Sequence, residues 1–148
     1  MTRTRITRSA LAAAVAAVLA AGVVATSGSA QAPSGTSLHL VSKQTKGGFV
    51  PKGRLHNGAR FGFVQKISGD DTGTSRIVCT ALGGKGLCTI EVQLSKGTLT
   101  AQGIVPERAH NTPVAVTGGT GAYNGARGTA FATDTSSSSS TIDVELLP

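Results

Sequence analysis

Apolar and polar residues alternate in short segments along most of the chain, and glycines interrupt these segments at steady intervals. Alternation with a period of two is typical of β-strands, and the chain after residue 32 lacks the 3.6-residue period of an amphipathic helix. The pattern predicts eight strands, near Thr36–Gln44, Ala59–Ser68, Thr74–Ala81, Leu87–Ser95, Thr98–Val105, Pro113–Thr117, Thr129–Thr133 and Thr141–Leu147. Eight antiparallel strands suit a closed all-β barrel, because closure removes exposed sheet edges and leaves an interior that is filled or holds one small ligand.

The first 32 residues differ in composition from the rest. Arginines near the N-terminus precede a continuous apolar stretch from Ala10 to Ala25, and the tripeptide Ala30-Gln31-Ala32 follows. This order is typical of a secretory signal peptide, so we expect residues 1–32 to be cleaved and the protein to be secreted into the extracellular space. A retained membrane anchor is the alternative, although the apolar stretch is short of the roughly 20 residues that span a bilayer.

Removal of that segment would leave residues 33–148 as a single barrel domain with 11 Lys and Arg against 7 Asp and Glu, a net charge of +4. These cations form no run and have no interleaved aromatic residues, so we expect no specific nucleic-acid partner. A modest basic excess favours weak, salt-sensitive association with anionic surfaces.

The segment VCTALGGKGLCTI predicts a hairpin with a two-residue turn at Gly83-Gly84. In this register Cys79 lies opposite Cys88 as a non-hydrogen-bonded pair, which is within reach of a cross-strand disulfide. Two independent thiols or a metal-binding pair are the alternatives. An exported chain with only two cysteines favours the disulfide.

A second hairpin is predicted to turn at Lys96-Gly97, which would place Leu94 opposite Leu99 and Glu91 opposite Gln102. The first pair belongs to an apolar face of the hairpin and the second pair to a polar face. The pattern leaves open which face lines the barrel interior. Glu91 and Gln102 are pocket residues if the polar face points inward, and they contact solvent or another subunit if it points outward.

The glycine-rich segment AVTGGTGAYNGARG, from Ala115 to Gly128, raises the question of phosphate binding. A dinucleotide-binding fingerprint needs G-x-G-x-x-G at the start of a helix, but here the third glycine comes one position late and no helical pattern follows. The chain also has no Gly-Lys-Ser/Thr sequence for a Walker-type loop. We therefore expect no nucleotide cofactor, and no other cofactor is indicated.

The same segment resembles the motif that allene oxide cyclases and dirigent proteins carry at a junction between strands. The resemblance rests on Gly118, Gly119, Thr120, Gly121, Tyr123 and Gly128, with TLTAQGIV and Val50-Pro51 similar to further cyclase segments. It implies an eight-stranded antiparallel barrel with an apolar lumen, in which the glycines have a structural role and Tyr123 packs over the junction. Likeness to the plant cyclases also implies a homo-oligomer, a trimer.

Motifs for catalysis or metal binding are scarce. The chain has no H-E-x-x-H, C-x-x-C or G-x-S-x-G sequence, and its three histidines are scattered, so we expect no metal site. The plant cyclases that the glycine-rich segment resembles have an acidic residue in the first strand, so the resemblance would imply one here. The corresponding segment, SLHLVSKQ, has none. Their cysteine would fall on Cys79, which is expected to be in a disulfide. We therefore expect no efficient cyclisation of the plant type.

These observations favour a secreted barrel that binds a small apolar or amphipathic molecule in its lumen. The candidate ligand-binding residues are His39, Glu91, Gln102 and Tyr123. An isomerase or cyclase acting on an unsaturated or phenolic substrate is one alternative. An extracellular interaction module with a filled core is the other.

Overall fold

The computed structural model describes residues 35–51 and 55–148, which form a closed antiparallel barrel. Its strands are β1 (Ser37–Phe49), β2 (Arg60–Gly69), β3 (Gly73–Leu82), β4 (Lys85–Leu94), β5 (Gly97–Pro106), β6 (Thr112–Gly119), β7 (Gly128–Asp134) and β8 (Ser139–Leu146). Each strand pairs with its neighbours in sequence, and β8 pairs with β1 to complete the barrel. The predicted all-β fold and all eight strands are confirmed.

The predicted signal peptide, residues 1–32, lies outside the described residues. Within the described part of the chain, no helix has the length and apolar character needed to cross a membrane. The helical structure described there is a 3-10 turn, Gly121–Tyr123, that follows β6.

Successive connections between antiparallel strands lie at opposite ends of the barrel. The Gly83-Gly84 turn between β3 and β4 lies at one end, together with the connections that follow β1, β5 and β7. We call this the disulfide end. The connections that follow β2, β4 and β6 lie at the other end, which we call the Tyr123 end.

The β3–β4 hairpin has the predicted register. Leu82 pairs with Lys85 across the Gly83-Gly84 turn, and Cys79 pairs with Cys88. The two cysteines form a disulfide with Cα atoms 4.0 Å apart, and both are buried. The predicted cross-strand disulfide is therefore confirmed.

The predicted register of the β4–β5 hairpin is wrong by two residues. The turn is formed by Ser95 and Lys96, so Leu94 pairs with Gly97 and Glu91 pairs with Thr100. Ser95 does not pair with Thr98, because its backbone N–H is directed to the carbonyl oxygen of Thr72 at 3.0 Å in the neighbouring turn. A shift of two residues keeps each side chain on its predicted face, so the apolar and polar faces are retained.

β1 extends beyond its predicted end at Gln44 and reaches Phe49 through a β-bulge. The bulge lies between Gln44 and Gly48, where Gly48 has a φ of 121°. The hydroxyl of Thr45 donates a hydrogen bond of 2.9 Å to the carbonyl oxygen of Val64 on β2 and so helps to hold the bulge. A bulge adds unpaired residues to one strand, and the alternation of apolar residues in the sequence does not reveal it.

Burial follows the alternation most clearly along β4 and β6. In β4, Cys88 and Leu94 are buried, whereas Leu87, Thr89 and Glu91 are exposed. The apolar face therefore lines the interior and the polar face lies outside. The buried apolar core comprises Leu40, Ile67, Leu94, Leu99, Ala101, Val114, Val116, Tyr123, Ala126, Ala130, Val144 and Leu146.

Candidate functional site

Several apolar side chains face the barrel interior but are only half-buried. Ile77 and Ile90 pair across β3 and β4 on the inward face, and Phe63 lies opposite Ile77 on β2. Ile142 and Ala132 form a similar inward pair on β8 and β7. In a filled core these side chains would be fully buried. We call the space that they border the lumen.

Phe61 and Phe63 form an aromatic pair on the inward face of β2, with ring centroids 5.8 Å apart and an edge-to-face geometry. Phe61 lies opposite Cys79 and approaches Gly86, so its ring covers the interior side of the disulfide hairpin. The pair therefore forms an aromatic part of the lumen wall next to the disulfide.

One side of the interior is polar. Four polar residues occupy the inward register of three neighbouring strands, and we call them the polar strip. They are Ser42 and Gln44 on β1, Gln65 on β2 and Ser75 on β3. Ser42 and Ser75 are buried, Gln65 is half-buried, and Gln44 is exposed at the disulfide end. The lumen thus has an apolar lining with one uncharged polar side.

His39, a candidate ligand-binding residue, lies on the outer surface of β1. Its Nδ1 is 2.6 Å from Oδ1 of Asp143 on β8, and its backbone N–H donates a hydrogen bond of 2.8 Å to Asp70. The hydrogen bond and the charge of Asp143 raise the pKa of His39 above its usual value. The arrangement is an exposed ion pair on the barrel exterior when His39 is protonated.

Glu91 and Gln102 also lie on the outer face, where both are exposed. Glu91 is 3.5 Å from Arg76 across β3 and β4, and Gln102 pairs with Thr89. Of the two alternatives left open by the sequence, the outward one is therefore observed. The expected Glu91–Gln102 pairing is wrong, because the β4–β5 turn begins one residue earlier than predicted.

Tyr123 lies in the 3-10 turn at the Tyr123 end of the barrel and is buried, with 4% of its surface exposed. Its hydroxyl donates a hydrogen bond of 3.0 Å to Oδ2 of Asp71, whose Oδ1 accepts hydrogen bonds from the Ser95 hydroxyl at 2.5 Å and from the Thr72 N–H at 2.6 Å. Burial would raise the pKa of Asp71, but these hydrogen bonds outweigh it and lower the pKa to about 2. Burial and the bond to Asp71 raise the pKa of Tyr123 to about 12. We call Asp71, Ser95 and Tyr123 the Asp71 cluster.

The glycine motif shapes the connection between β6 and β7 at the Tyr123 end. Gly121 has a φ of 61° and Gly128 a φ of 152°, conformations that L side chains rarely adopt. A Cβ atom at Gly119 would clash with the backbone oxygen of Tyr123, so a side chain at that position would push the 3-10 turn away. The hydroxyl of Thr120 accepts a hydrogen bond of 3.2 Å from the Thr98 N–H.

Asp71 and the polar strip were not predicted from the sequence. Gln65 and Ser75 stand at the same period-two positions as the apolar Phe63, Ile67 and Ile77 of the predicted strands, so the period of two was the signal that could have placed them inside. Asp71 lies in a turn, and nothing local to it shows that Ser95 and Tyr123 approach from distant parts of the chain. Among the described residues, no group of three or more His, Cys, Asp or Glu side chains is arranged to hold a metal ion.

These features define a small closed eight-stranded barrel with a mainly apolar interior. The structure is similar to that of pyocyanin demethylase, with a TM-score of 0.63 and 19% sequence identity over 75% of this chain and 99% of that chain. A likeness at this identity shows the fold alone. No protein-family model and no curated protein matches the chain. The predicted eight-stranded barrel is therefore confirmed, whereas membership of the allene oxide cyclase family is not.

Proposed function

We propose that the protein binds a small apolar or amphipathic molecule in its lumen. The observation that carries this proposal is the partial exposure of Ile77, Ile90 and Ile142, although their register directs them into the barrel. A ligand seated against these side chains would remove apolar surface from water, which contributes roughly 25 cal/mol per Å². Dissociation constants in the micromolar range, about −8 kcal/mol, are reasonable after the entropy cost of association.

The proposed ligand site differs from the residues first considered. His39, Glu91 and Gln102 lie on the exterior, and Tyr123 is buried against Asp71. The proposal therefore rests on the inward-facing residues of the lumen.

Binding can be tested with N-phenylnaphthylamine, an uncharged probe whose fluorescence rises in apolar surroundings. Ile90→Trp would fill the lumen from β4, and Thr89→Trp would place the same ring on the outer face one residue away. We expect Ile90→Trp to weaken probe binding at least tenfold and Thr89→Trp to leave it within twofold. Equal affinity in both variants, or no saturable binding to the wild type, would exclude the lumen as the site.

Chemistry on a bound small molecule is the second candidate, because a protein of similar fold is named as a demethylase. The lumen residues Phe63, Ile77, Ile90, Ala132 and Ile142 are apolar and the polar strip is uncharged, which favours binding over acid–base catalysis. Incubation with a freshly prepared allene oxide tests the cyclase form of this candidate. We expect a racemic cyclopentenone equal to the protein-free control, and a strong excess of one enantiomer would make the enzymatic function primary.

We also propose that the protein is secreted after cleavage at Ala32. The buried Cys79–Cys88 disulfide supports this, because such bonds form and persist in oxidising compartments. Mass spectrometry of the culture medium should find a chain that begins at Pro33. Recovery of the full-length chain in the cell fraction alone would contradict the proposal.

A further inference from the structure

The polar strip has hydrogen-bonding groups that the fold leaves unused. The hydroxyl oxygen of Ser75 is buried and has no hydrogen-bond partner in the described part of the protein. Ser75 is 1% exposed, and its inward register directs it toward the barrel interior. Buried polar groups in folded proteins are normally paired, so an unpaired one needs a specific explanation.

The neighbours of Ser75 extend this unused capacity across three strands. Gln65 lies directly opposite Ser75, and Gln44 lies directly opposite Gln65, so their side chains are within reach of one another. Ser42 makes a long hydrogen bond of 3.4 Å to the carbonyl oxygen of Ser140. The strip therefore offers hydroxyl and amide groups along one side of an apolar space, which is the composition of a small-molecule site with defined orientation.

The charge of this region selects against anions. The polar strip and the apolar lumen residues carry no charge, so a buried carboxylate would lose its hydration without gaining a counter-ion. Asp134 places a carboxylate on the inward register of β7, and this carboxylate accepts a hydrogen bond of 2.7 Å from the Ser140 hydroxyl at the disulfide end. Its negative charge would repel an anionic head group that entered there.

We infer that the polar strip binds the hydrogen-bonding group of an uncharged amphiphile, an apolar molecule that carries a single carbonyl or hydroxyl group. The inference rests on the proposed binding function and specifies the class of ligand. The Gln65 amide and the Ser75 hydroxyl donate to the ligand oxygen, and the apolar part of the ligand contacts Ile77 on β3 and Ile90 on β4. Gln65 is half-buried, so the ligand meets its amide first and Ser75 at the inner end of the strip.

A matched series of dodecyl compounds tests this inference by displacement of N-phenylnaphthylamine. The series consists of the hydrocarbon, the methyl ketone and the carboxylate of the same chain length. We expect the wild type to bind the methyl ketone roughly three- to tenfold more tightly than the hydrocarbon, the range expected for one hydrogen bond. The carboxylate should bind more weakly than the ketone.

The double variant Gln65→Leu/Ser75→Ala should bind hydrocarbon and ketone within twofold of each other and retain the hydrocarbon affinity of the wild type. Thr74→Ala, on the outer face beside Ser75, is the control and should keep the ketone preference. Ser75→Ala alone should leave the melting temperature unchanged or raise it, because no protein partner is lost.

The outcomes separate this inference from the proposed function. Displacement by none of the compounds would contradict lumen binding itself. Binding of the hydrocarbon without a ketone preference, a preference that persists in the double variant, or equal binding of the carboxylate would overturn the inference while leaving lumen binding intact. A fall in melting temperature for Ser75→Ala, with equal weakening of both compounds, would show that Ser75 has a purely structural role.

Discussion

The hydroxyl of Tyr123 donates a hydrogen bond to the carboxylate of Asp71, 52 residues earlier in the chain, and this bond joins two turns at the Tyr123 end of the barrel. Asp71 follows β2 and also binds Ser95, which follows β4. The Asp71 cluster thus connects the three loops that follow β2, β4 and β6 at this end of the barrel.

Tyr123→Phe should lower the free energy of unfolding by about 1–2 kcal/mol, because a buried carboxylate loses one of its donors while the ring is retained. Chemical denaturation measures this change. Ser95→Ala removes a second donor, and the double variant reports the coupling between the two bonds. A change below about 0.3 kcal/mol for Tyr123→Phe would show that the bond does not support the fold.

Acid should destabilise the protein through Asp71. The pKa of its carboxyl is about 2, below the ordinary value of 3.8, so its contribution is present above pH 3.8 and is lost as the pH falls toward 2. The shift corresponds to about 2 kcal/mol. Denaturation of the wild type and Asp71→Asn across this range should show an acid loss in the wild type that is smaller in the variant. The same loss of stability with falling pH in both proteins would contradict a role for the Asp71 carboxyl in acid destabilisation.

Alkali should act through Tyr123 in the opposite direction. Its pKa is raised from 10.0 to about 12, so the stabilisation from its protonated form is present below pH 10 and is lost as the pH rises toward 12. Because Tyr123 is the only tyrosine and the chain has no tryptophan, ultraviolet absorbance follows this titration directly. A midpoint near 10 in the folded protein would contradict burial of the hydroxyl against Asp71.

His39 should respond to its partner on β8. Asp143→Asn removes the charge that lies 2.6 Å from Nδ1, so the pKa of His39 should fall toward its usual value. Titration of the His39 ring protons by NMR measures this change. An unchanged midpoint would show that the ion pair does not form in solution.

Loss of the disulfide should destabilise the barrel without changing its architecture. The bond closes a loop of about ten residues, for which chain entropy gives about 2–3 kcal/mol. Cys79→Ala/Cys88→Ala should therefore show this decrease in denaturation experiments. Two thiols that are freely alkylated in the unreduced protein would contradict the bond itself.

The alternation of apolar residues was sufficient to predict eight strands, and the Gly83-Gly84 turn was sufficient to place Cys79 opposite Cys88. Both are local features. The period of two identifies a strand and separates its two faces, and the length of the turn sets the register of the hairpin. The β4–β5 register was missed because the backbone of Ser95 is held by Thr72 and Asp71 in another turn.

The candidate site was harder to predict than the fold. The direction of Glu91 depends on which face of a closed barrel is interior, and the alternation of one hairpin does not decide this. Tyr123 was correctly expected to pack over the junction, but its bond to Asp71 depends on a contact between distant loops. The period of two could have predicted that Gln65 and Ser75 face inward. The space beside them depends on how all eight strands pack, which no single segment of the sequence shows.

Lumen binding is tested most directly by methyl NMR of protein labelled at isoleucine, with the uncharged dodecyl methyl ketone as the probe. Ile77, Ile90 and Ile142 border the lumen, whereas Ile104 lies outside the barrel in an apolar groove with Leu82 and Leu87. We predict saturable shifts for the three lumen methyl signals and none for Ile104. Saturable shifts of Ile104 alone, with the lumen signals unchanged, would contradict the account and place the ligand on the outer surface.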